Sequence, residues 1–392
     1  MKKVLVLGGA GLMGRATVID LLENTNVDEV IIGDLNVAEA KKVAERSGGG
    51  NRVSIQAIDL QAKDDLNKLV KSVDGVINCA IYKFNLSVME AALEARVPYT
   101  DLGGFWEITK KQLELDKRFR EAGVTAIPCM GSCPGTGNVM AKYAVDQLDS
   151  VEEVTVYNAC GDYAPPEQQA AFSASYNLDV MIDELSIDPY TFTNGQLKQV
   201  KVLKDGELVN FPEPIGSVVA YHTKHSEALT MSGVWASKGL KTCGFKLALP
   251  TDFVETVQLL KAIGITSEKS VRVGDVEVNP RRVLAAILAQ DETQNSEPDD
   301  CDFIKVVVKG MEGSRNVEYI MEMVARPHSQ WKIGATALDT GIPPVIAMDM
   351  MLNGEIDTPG VFPPEAIVPP EKFFTELRKR EMEVFASKKI LV

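Results

Sequence analysis

An α/β fold, built on a doubly wound parallel sheet and carrying an inserted α+β domain, is what three observations predict. Short β-branched runs alternate with single helical segments over roughly the first 130 residues. A glycine-rich turn directly follows the first of those runs, and after Pro134 the rhythm changes to longer alternating stretches.

The elements follow in chain order. Residues 4–7 form an apolar strand that stops at glycines, after which Leu12, Ala16, Ile19 and Leu22 recur at helical spacing up to an Asn-rich stop at 24–26. Further strands are expected at 29–32, 53–55, 75–78, around Tyr99 and at 124–127, with helices at 37–46, 64–71, 87–95 and 108–122. A helix at 138–147 then leads into strands at 151–157, 200–203 and 303–308, a mostly antiparallel sheet with added helices. The acidic, polar stretch 291–301 reads as a mobile surface loop. Proline pairs at 343–344, 363–364 and 369–370 punctuate two final helical pieces, the second spanning 371–385.

Composition narrows the function. With 392 residues and 45% hydrophobic content, the chain exceeds what one core usually absorbs, so two or three domains are expected. A net charge of −14 repels phosphate backbones and anionic membrane surfaces, which argues against a nucleic-acid or membrane partner. No stretch approaches the roughly 18 apolar residues of a membrane span. Met1-Lys2-Lys3 and the apolar run behind it mimic a signal peptide only until glycines interrupt, and Asp20 and Glu23 follow. The six cysteines (79, 129, 133, 160, 243 and 301) are too sparse for a disulfide framework, so reduced thiols and a cytoplasmic location are expected.

Gly9-Ala10-Gly11-Leu12-Met13-Gly14 matches G-x-G-x-x-G. The pattern alone is weak, but here it follows a predicted strand and opens a predicted helix. Its backbone N–H groups and the helix N-terminus would then meet a pyrophosphate, as in a Rossmann dinucleotide site. Asp34 closes the second strand 20 residues after Gly14, where a carboxylate accepts hydrogen bonds from ribose hydroxyls. That carboxylate repels a 2′-phosphate and Leu35-Asn36 offer no guanidinium, so NAD is expected over NADP, with Lys41 and Lys42 arguing the other way. Asp59 ends the next strand, as adenine neighbour or helix cap. Asn78 and Ala80 end the fourth strand, on the nicotinamide side of the crevice.

Gly8-Gly9-Ala10-Gly11, the run Asn78-Cys79-Ala80-Ile81-Tyr82-Lys83-Phe84-Asn85, Asp101-Leu102-Gly103-Gly104, and Ala335-Thr336-Ala337 with Thr340-Gly341-Ile342-Pro343 resemble the saccharopine dehydrogenase family. Within it the N-terminal half is most similar to the lysine 6-dehydrogenase branch. Cys160-Gly161-Asp162-Tyr163-Ala164-Pro165-Pro166-Glu167 resembles a substrate-side segment of saccharopine reductases, departing from it at Asp162 and Tyr163. Cys133-Pro134-Gly135 stands where those reductases tend to have Asp-Pro-Gly. His225-Ser226-Glu227 resembles a His-Ser-Glu segment of some members. The resemblance implies a Rossmann domain at 1–134 completed by the C-terminal segment 341–392, with a substrate-binding and dimerisation domain at 135–340. It further implies a homodimer and NAD(P)-linked oxidation of a C–N bond in an amino acid. L-Lysine to 2-aminoadipate 6-semialdehyde leads, with saccharopine cleavage and a carboxyspermidine-type reaction as alternatives. A non-catalytic NAD-binding sensor is the rival from another class.

Such chemistry needs a neutral nitrogen, a C–H bond aimed at the nicotinamide, and a proton-handling group. Two of the three histidines lie in His222-Thr223-Lys224-His225-Ser226-Glu227, which makes His222, His225 and Glu227 candidates for proton transfer, substrate contact or simple structure. Their H-x-x-H spacing lacks a third ligand, so no metal is expected. Tyr82 and Lys83 follow the fourth strand, Tyr82 to hold substrate or to cover the cofactor. Asp101 ends the fifth strand as a site contact or a turn cap. Cys129 and Cys133 flank the interdomain loop, Arg326 is a candidate grip for a substrate carboxylate, and His328 near Trp331 reads as packing.

Overall fold

A computed structural model describes residues 1–163, 176–288 and 299–391. The first half alternates as the sequence requires: β1 (Lys3–Leu7), α1 (Leu12–Asn24), β2 (Glu29–Asp34), α2 (Val37–Arg46), β3 (Val53–Ala57), α3 (Lys63–Val70), β4 (Gly75–Asn78), α4 (Asn85–Ala95) and β5 (Tyr99–Asp101). Two helices, α5 (Trp106–Leu113) and α6 (Asp116–Ala122), replace the single one expected at 108–122, and β6 (Thr125–Ile127) follows. All these strands pair in parallel in the order β6-β5-β4-β1-β2-β3. Successive side chains of a strand point to opposite faces. Val4 and Val6 therefore pack on the α1 side while Leu5 and Leu7 pack with Leu66, Val88 and Phe119 on the other.

The second sheet begins after α7 (Thr136–Asp146) with the long strand β7 (Ser150–Asp162). Next come α8 (Leu178–Ser186), β8 (Tyr190–Thr193), β9 (Gln196–Gln199), β10 (Glu207–Asn210), β11 (Ser217–Tyr221), α9 (Glu227–Trp235) and β12 (Thr242–Ala248). A helix α10 (Thr251–Ala262), a small hairpin of β13 (Val271–Val273) and β14 (Val276–Val278), and α11 (Pro280–Leu288) precede β15 (Asp300–Glu312) and β16 (Arg315–Ala325). The sheet runs β10-β11-β12-β7-β15-β16, antiparallel except for β12 against β7. Its inner face, with Val154, Val156, Ile304 and Val306, packs against Val139 and Met140 of α7 and Met231 of α9. The strand expected at 200–203 is instead a turn, because Leu203 adopts a left-handed backbone (φ 55°) and buries its side chain. Residues 291–298 of the acidic stretch lie outside the described residues, and Cys301 belongs to β15 rather than to a loop.

The C-terminal segment serves both sheets. After α12 (Ala335–Gly341) and α13 (Pro343–Leu352), β17 (Gly360–Val361) adds to β6 in parallel at the edge of the first sheet. Beyond α14 (Pro364–Ile367) and α15 (Pro370–Arg378), however, β18 (Glu383–Leu391) pairs with β16 at the edge of the second sheet. The helix expected at 371–385 stops early because Arg380 turns inward onto Asp20 of α1, its Nε 2.7 and 2.9 Å from the two carboxylate oxygens, and Glu381 takes a left-handed backbone (φ 62°).

Asp20 and Arg380 are both buried, and burial raises the Asp20 carboxyl even against the guanidinium. Removing one partner strands the other's charge. Asp20→Ala is expected to lower unfolding stability by about 3–5 kcal/mol in a denaturant titration. A loss below about 1 kcal/mol would place the pair among exposed-type bridges instead.

Candidate active site

The glycine turn is shaped for a dinucleotide. Gly8 has φ 71°, and a Cβ there would meet Ala80 N at 2.7 Å, so the turn lies directly on the end of β4. A Cβ on Gly14 would lie 2.2 Å from Gly8 O, which holds α1 tight against the turn. Gly11 N–H bonds Gly8 O and Arg15 N–H bonds Gly11 O. The first N–H groups of a helix have no intrahelical partner. Those of Leu12, Met13 and Gly14 therefore stand at the α1 N-terminus, where Leu12 is 44% exposed. Asp34 Oδ2 accepts from Ala10 N at 3.0 Å and Oδ1 from Asn36 N at 2.8 Å, which binds the end of β2 to the turn. Gly9, Gly11, Leu12, Met13, Gly14 and Asp34 fit a pyrophosphate and ribose in this order. When bound, the nicotinamide supplies hydride transfer.

Other residues expected at the cofactor take supporting parts. Asp59 is exposed and accepts from Gln61 N at 2.9 Å, capping the turn after β3. Asn78 is fully buried, donating to Asn85 at 2.9 Å and accepting from Ala80 N at 3.2 Å. Its side chain holds the Cys79-Ala80 loop and does not itself face the crevice. Lys42 is paired with Glu39 at 2.8 Å.

Asp101 is likewise structural. It is 0% exposed, and its two oxygens accept from Tyr99, Gln112, Gly103 N and Cys129 N. Burial raises its carboxyl against these bonds. A strand-end carboxylate with its acceptor sites so occupied ties β5 to the interdomain loop and leaves nothing to offer a substrate.

His225 is the centre of the other half of the site. It stacks on Phe245 of β12 with ring centroids 3.6 Å apart, while Nε2 meets Glu184 and Nδ1 meets Glu227, each at 3.2 Å. Burial alone would discharge the ring, but the two carboxylates outweigh it and raise its pKa to about 10. Its two carboxylate partners thus favour the imidazolium form at neutral pH. Glu184 opposes its own burial through His225, Tyr176 and Thr223, which hold its carboxyl below the usual range. Glu227 opens α9, where the helix dipole favours its charge. His222 lies elsewhere: its Nδ1 meets Phe245 O, and its ring neighbours Gly244 and Lys246, which occupy the face of β12 opposite Phe245. The two histidines therefore act apart, and burial with Lys246 lowers the His222 pKa.

Sequence reasoning missed the acids that extend this cluster. Asp302 accepts from Asn158, Cys160 and Thr336, and burial pushes its carboxyl up to about 6. Asp339 accepts from Ser132 at 2.8 Å and is raised well above its ordinary value, first by burial and then by the Asp302 charge. The half-buried Cys133 thiol senses Glu227, Asp302 and Asp339 together, so these acids share one region. Gly341, two residues after Asp339, accepts from Thr17 of α1 at 2.7 Å, which sets α12 beside the glycine turn. Asp339 lies between the two pieces, 335–337 and 340–343, quoted for the resemblance, and nothing local marked it as buried.

Tyr82 bridges the halves, donating to Asp183 at 2.9 Å; burial and then Asp183 raise its pKa. Asp183 in turn meets Arg281 at 2.9 Å, and Lys83 reaches Glu268. Lys224, largely buried, sits over Phe105 and meets Glu107 at 3.0 Å. Arg326 is far simpler, bonding Tyr163 at 2.6 Å at the end of β16, and His328 stacks on Trp331 as packing. Residues 164–167 of the quoted substrate-side segment lie outside the described residues. Among the described residues no group of three or more His, Cys, Asp or Glu is arranged to hold a metal ion, and no helix is long and apolar enough to cross a membrane.

Residues 4–127 match the saccharopine dehydrogenase NADP binding domain and residues 131–382 the saccharopine dehydrogenase C-terminal domain. The chain belongs to the saccharopine dehydrogenase family of oxidoreductases. It is similar to carboxynorspermidine synthase of Vibrio cholerae, at 24% identity over 92% of this chain and 91% of that one. Carboxyaminopropylagmatine dehydrogenase of Synechocystis is 24% identical over 96% and 95%. Saccharopine dehydrogenase [NADP(+), L-glutamate-forming] of Saccharomyces cerevisiae is 27% identical over 43% of this chain and 36% of its own. The apo structure of the L-Glu-forming yeast enzyme superimposes over the whole of both chains with a TM-score of 0.72 at 17% identity, which shows the shared fold.

His225→Gln removes the positive charge that offsets the repulsion between Glu184 and Glu227. A fall in kcat of about 10²–10⁴-fold is expected, whereas Asp101→Asn is expected to lower thermal stability with kcat changed less than about threefold. Steady-state rates and melting curves of both variants decide it; equal kcat losses would return Asp101 to the reacting centre.

Proposed function

We propose that this oxidoreductase joins an amine of a di- or polyamine to an amino-acid aldehyde through imine reduction, and runs the reverse oxidation of the resulting carboxylated secondary amine. The observation that carries this reading is the run of buried acids: Glu184 and Glu227 hold His225 between them, and Asp302 and Asp339 act with Glu227 on the Cys133 thiol. Such a run favours a substrate with more than one positive charge. Relatives that align along nearly the full chain are named for carboxynorspermidine and carboxyaminopropylagmatine, which moves the reading from free lysine to this class.

In the condensing direction the amine nitrogen bonds the aldehyde carbon, water leaves, and hydride adds to that carbon. His225 holds a proton at each ring nitrogen, each shared with a carboxylate, and releases one toward the departing oxygen only by giving up its bond to Glu184 or Glu227. Asp302, whose carboxyl burial lifts to about 6, takes the proton that an arriving ammonium must lose before its nitrogen can attack, while burial and the Asp302 charge keep Asp339 protonated beside it. Lys224, entering beside His225, supplies the cation that meets the substrate carboxylate.

On the cofactor, the family description names NADP, whereas Asp34 argues for NAD. Both its oxygens keep lone pairs for ribose hydroxyls, so a 2′-phosphate would meet a negative charge. NAD is the proposed cofactor.

Two measurements check these readings. Nicotinamide absorbance with NAD or NADP and a panel of carboxyspermidine, saccharopine, lysine and ornithine is expected to respond to carboxyspermidine first; reduction with lysine alone would overturn the polyamine reading. The double change Asp34→Ala with Leu35→Arg is expected to move the NADP-to-NAD ratio of kcat/KM upward by about 10-fold or more. An unchanged ratio would mean that Asp34 does not face the ribose.

A further inference from the structure

A second buried carboxyl stands behind Glu227. Glu365, at the start of α14, reaches between α7 and α9, where its Oε2 accepts from Asn138 at 2.9 Å. It is 1% exposed, and its Oε1 has no hydrogen-bond partner. Glu227 is 0% exposed; its Oε1 meets His225, and its Oε2 also lacks a partner. The Asn138 amide that bonds Glu365 also meets Thr230 Oγ1 at 3.4 Å, and Thr230 bonds the Glu227 carbonyl one turn back along α9, so the two carboxyls flank the same residues. A shared proton removes the penalty of two such orphaned oxygens, since a protonated carboxyl donates where an ionised one only accepts.

We propose that Glu365 carries a proton bonded to Glu227 Oε2, and that this bond fixes Glu227 against His225, making Glu365 a positioning residue. The surroundings agree. The groups facing Glu365 are Glu227 and Thr230 from α9, Asn138 from α7, and the uncharged thiols of Cys243 and Cys129. No cation of the described residues is paired with it. Burial pushes its carboxyl up to about 7 against the bonds from Thr230 and Asn138, and the Glu227 charge adds to the rise. The proton is therefore held below about pH 7 and released as pH rises through that value. Above it, two buried carboxylates face each other and Glu227 loses its donor.

The role rests on His225 as the proton-handling group of the proposed reaction, but its test needs no turnover. The full-length protein with ¹⁵N-labelled histidine has three imidazoles to follow by NMR. The His225 resonances are expected to show a step centred near pH 7, far below the ring's own titration, as Glu365 ionises. In Glu365→Gln, whose amide donates to Glu227 as the acid does, the step is expected to vanish while the His225 shifts stay at their low-pH positions. The rate of nicotinamide turnover should lose its limb near pH 7 in the same variant and keep at least about half of its low-pH value. Glu365→Leu, lacking any donor, is expected to lower turnover at all pH values. A step that persists in Glu365→Gln, or no step in the unaltered protein, overturns the proposal. Inactivity toward every amine with the step intact would overturn the substrate reading alone.

Discussion

An imidazolium buried between two carboxylates is the interaction on which the site depends. Taking such charges out of water costs several kcal/mol per ion, recovered only when each N–H and each oxygen finds a partner. The chain meets that demand from four separate places. Glu184 comes from α8, Glu227 from the first turn of α9, the stacking ring of Phe245 from β12, and the bonds of Tyr176 and Thr223 from flanking loops. Moving any one of them leaves a buried charge without its counter-charge, so the constellation is rigid by electrostatics as well as by packing.

The C-terminal segment extends the same constraint to the whole molecule. It passes α12 beside the glycine turn, adds β17 to the first sheet, inserts Glu365 behind Glu227, buries Arg380 on Asp20 and ends as β18 on the second sheet. One stretch of chain thus sets the distance between the dinucleotide turn and the acid cluster. Hydride transfer tolerates little error in that distance.

Local pattern made the first sheet legible. Alternation of short apolar runs with helical periods, and a glycine turn whose packing admits no side chain at Gly14, need no tertiary information. The later errors have tertiary causes. The apolar spacing of Phe373, Phe374, Leu377 and Phe385 reads as one helix until Arg380 finds Asp20, a contact 360 residues apart in sequence. His225 was visible because histidine is scarce here, with three in the chain; Glu184, Asp302, Asp339 and Glu365 were hidden among 55 acidic residues, because burial leaves no local mark on a carboxylate. Asp101 drew attention for the opposite reason, since a strand end is where both a turn cap and a catalytic acid are found.

Neutron diffraction from the fully deuterated enzyme with dinucleotide bound, at pH 7, tests the central claim most directly. Nuclear density for deuterium on both Nδ1 and Nε2 of His225 is the expected result. A ring deuterated on one nitrogen alone would make His225 a neutral imidazole, remove the buried cation, and contradict the account of the site.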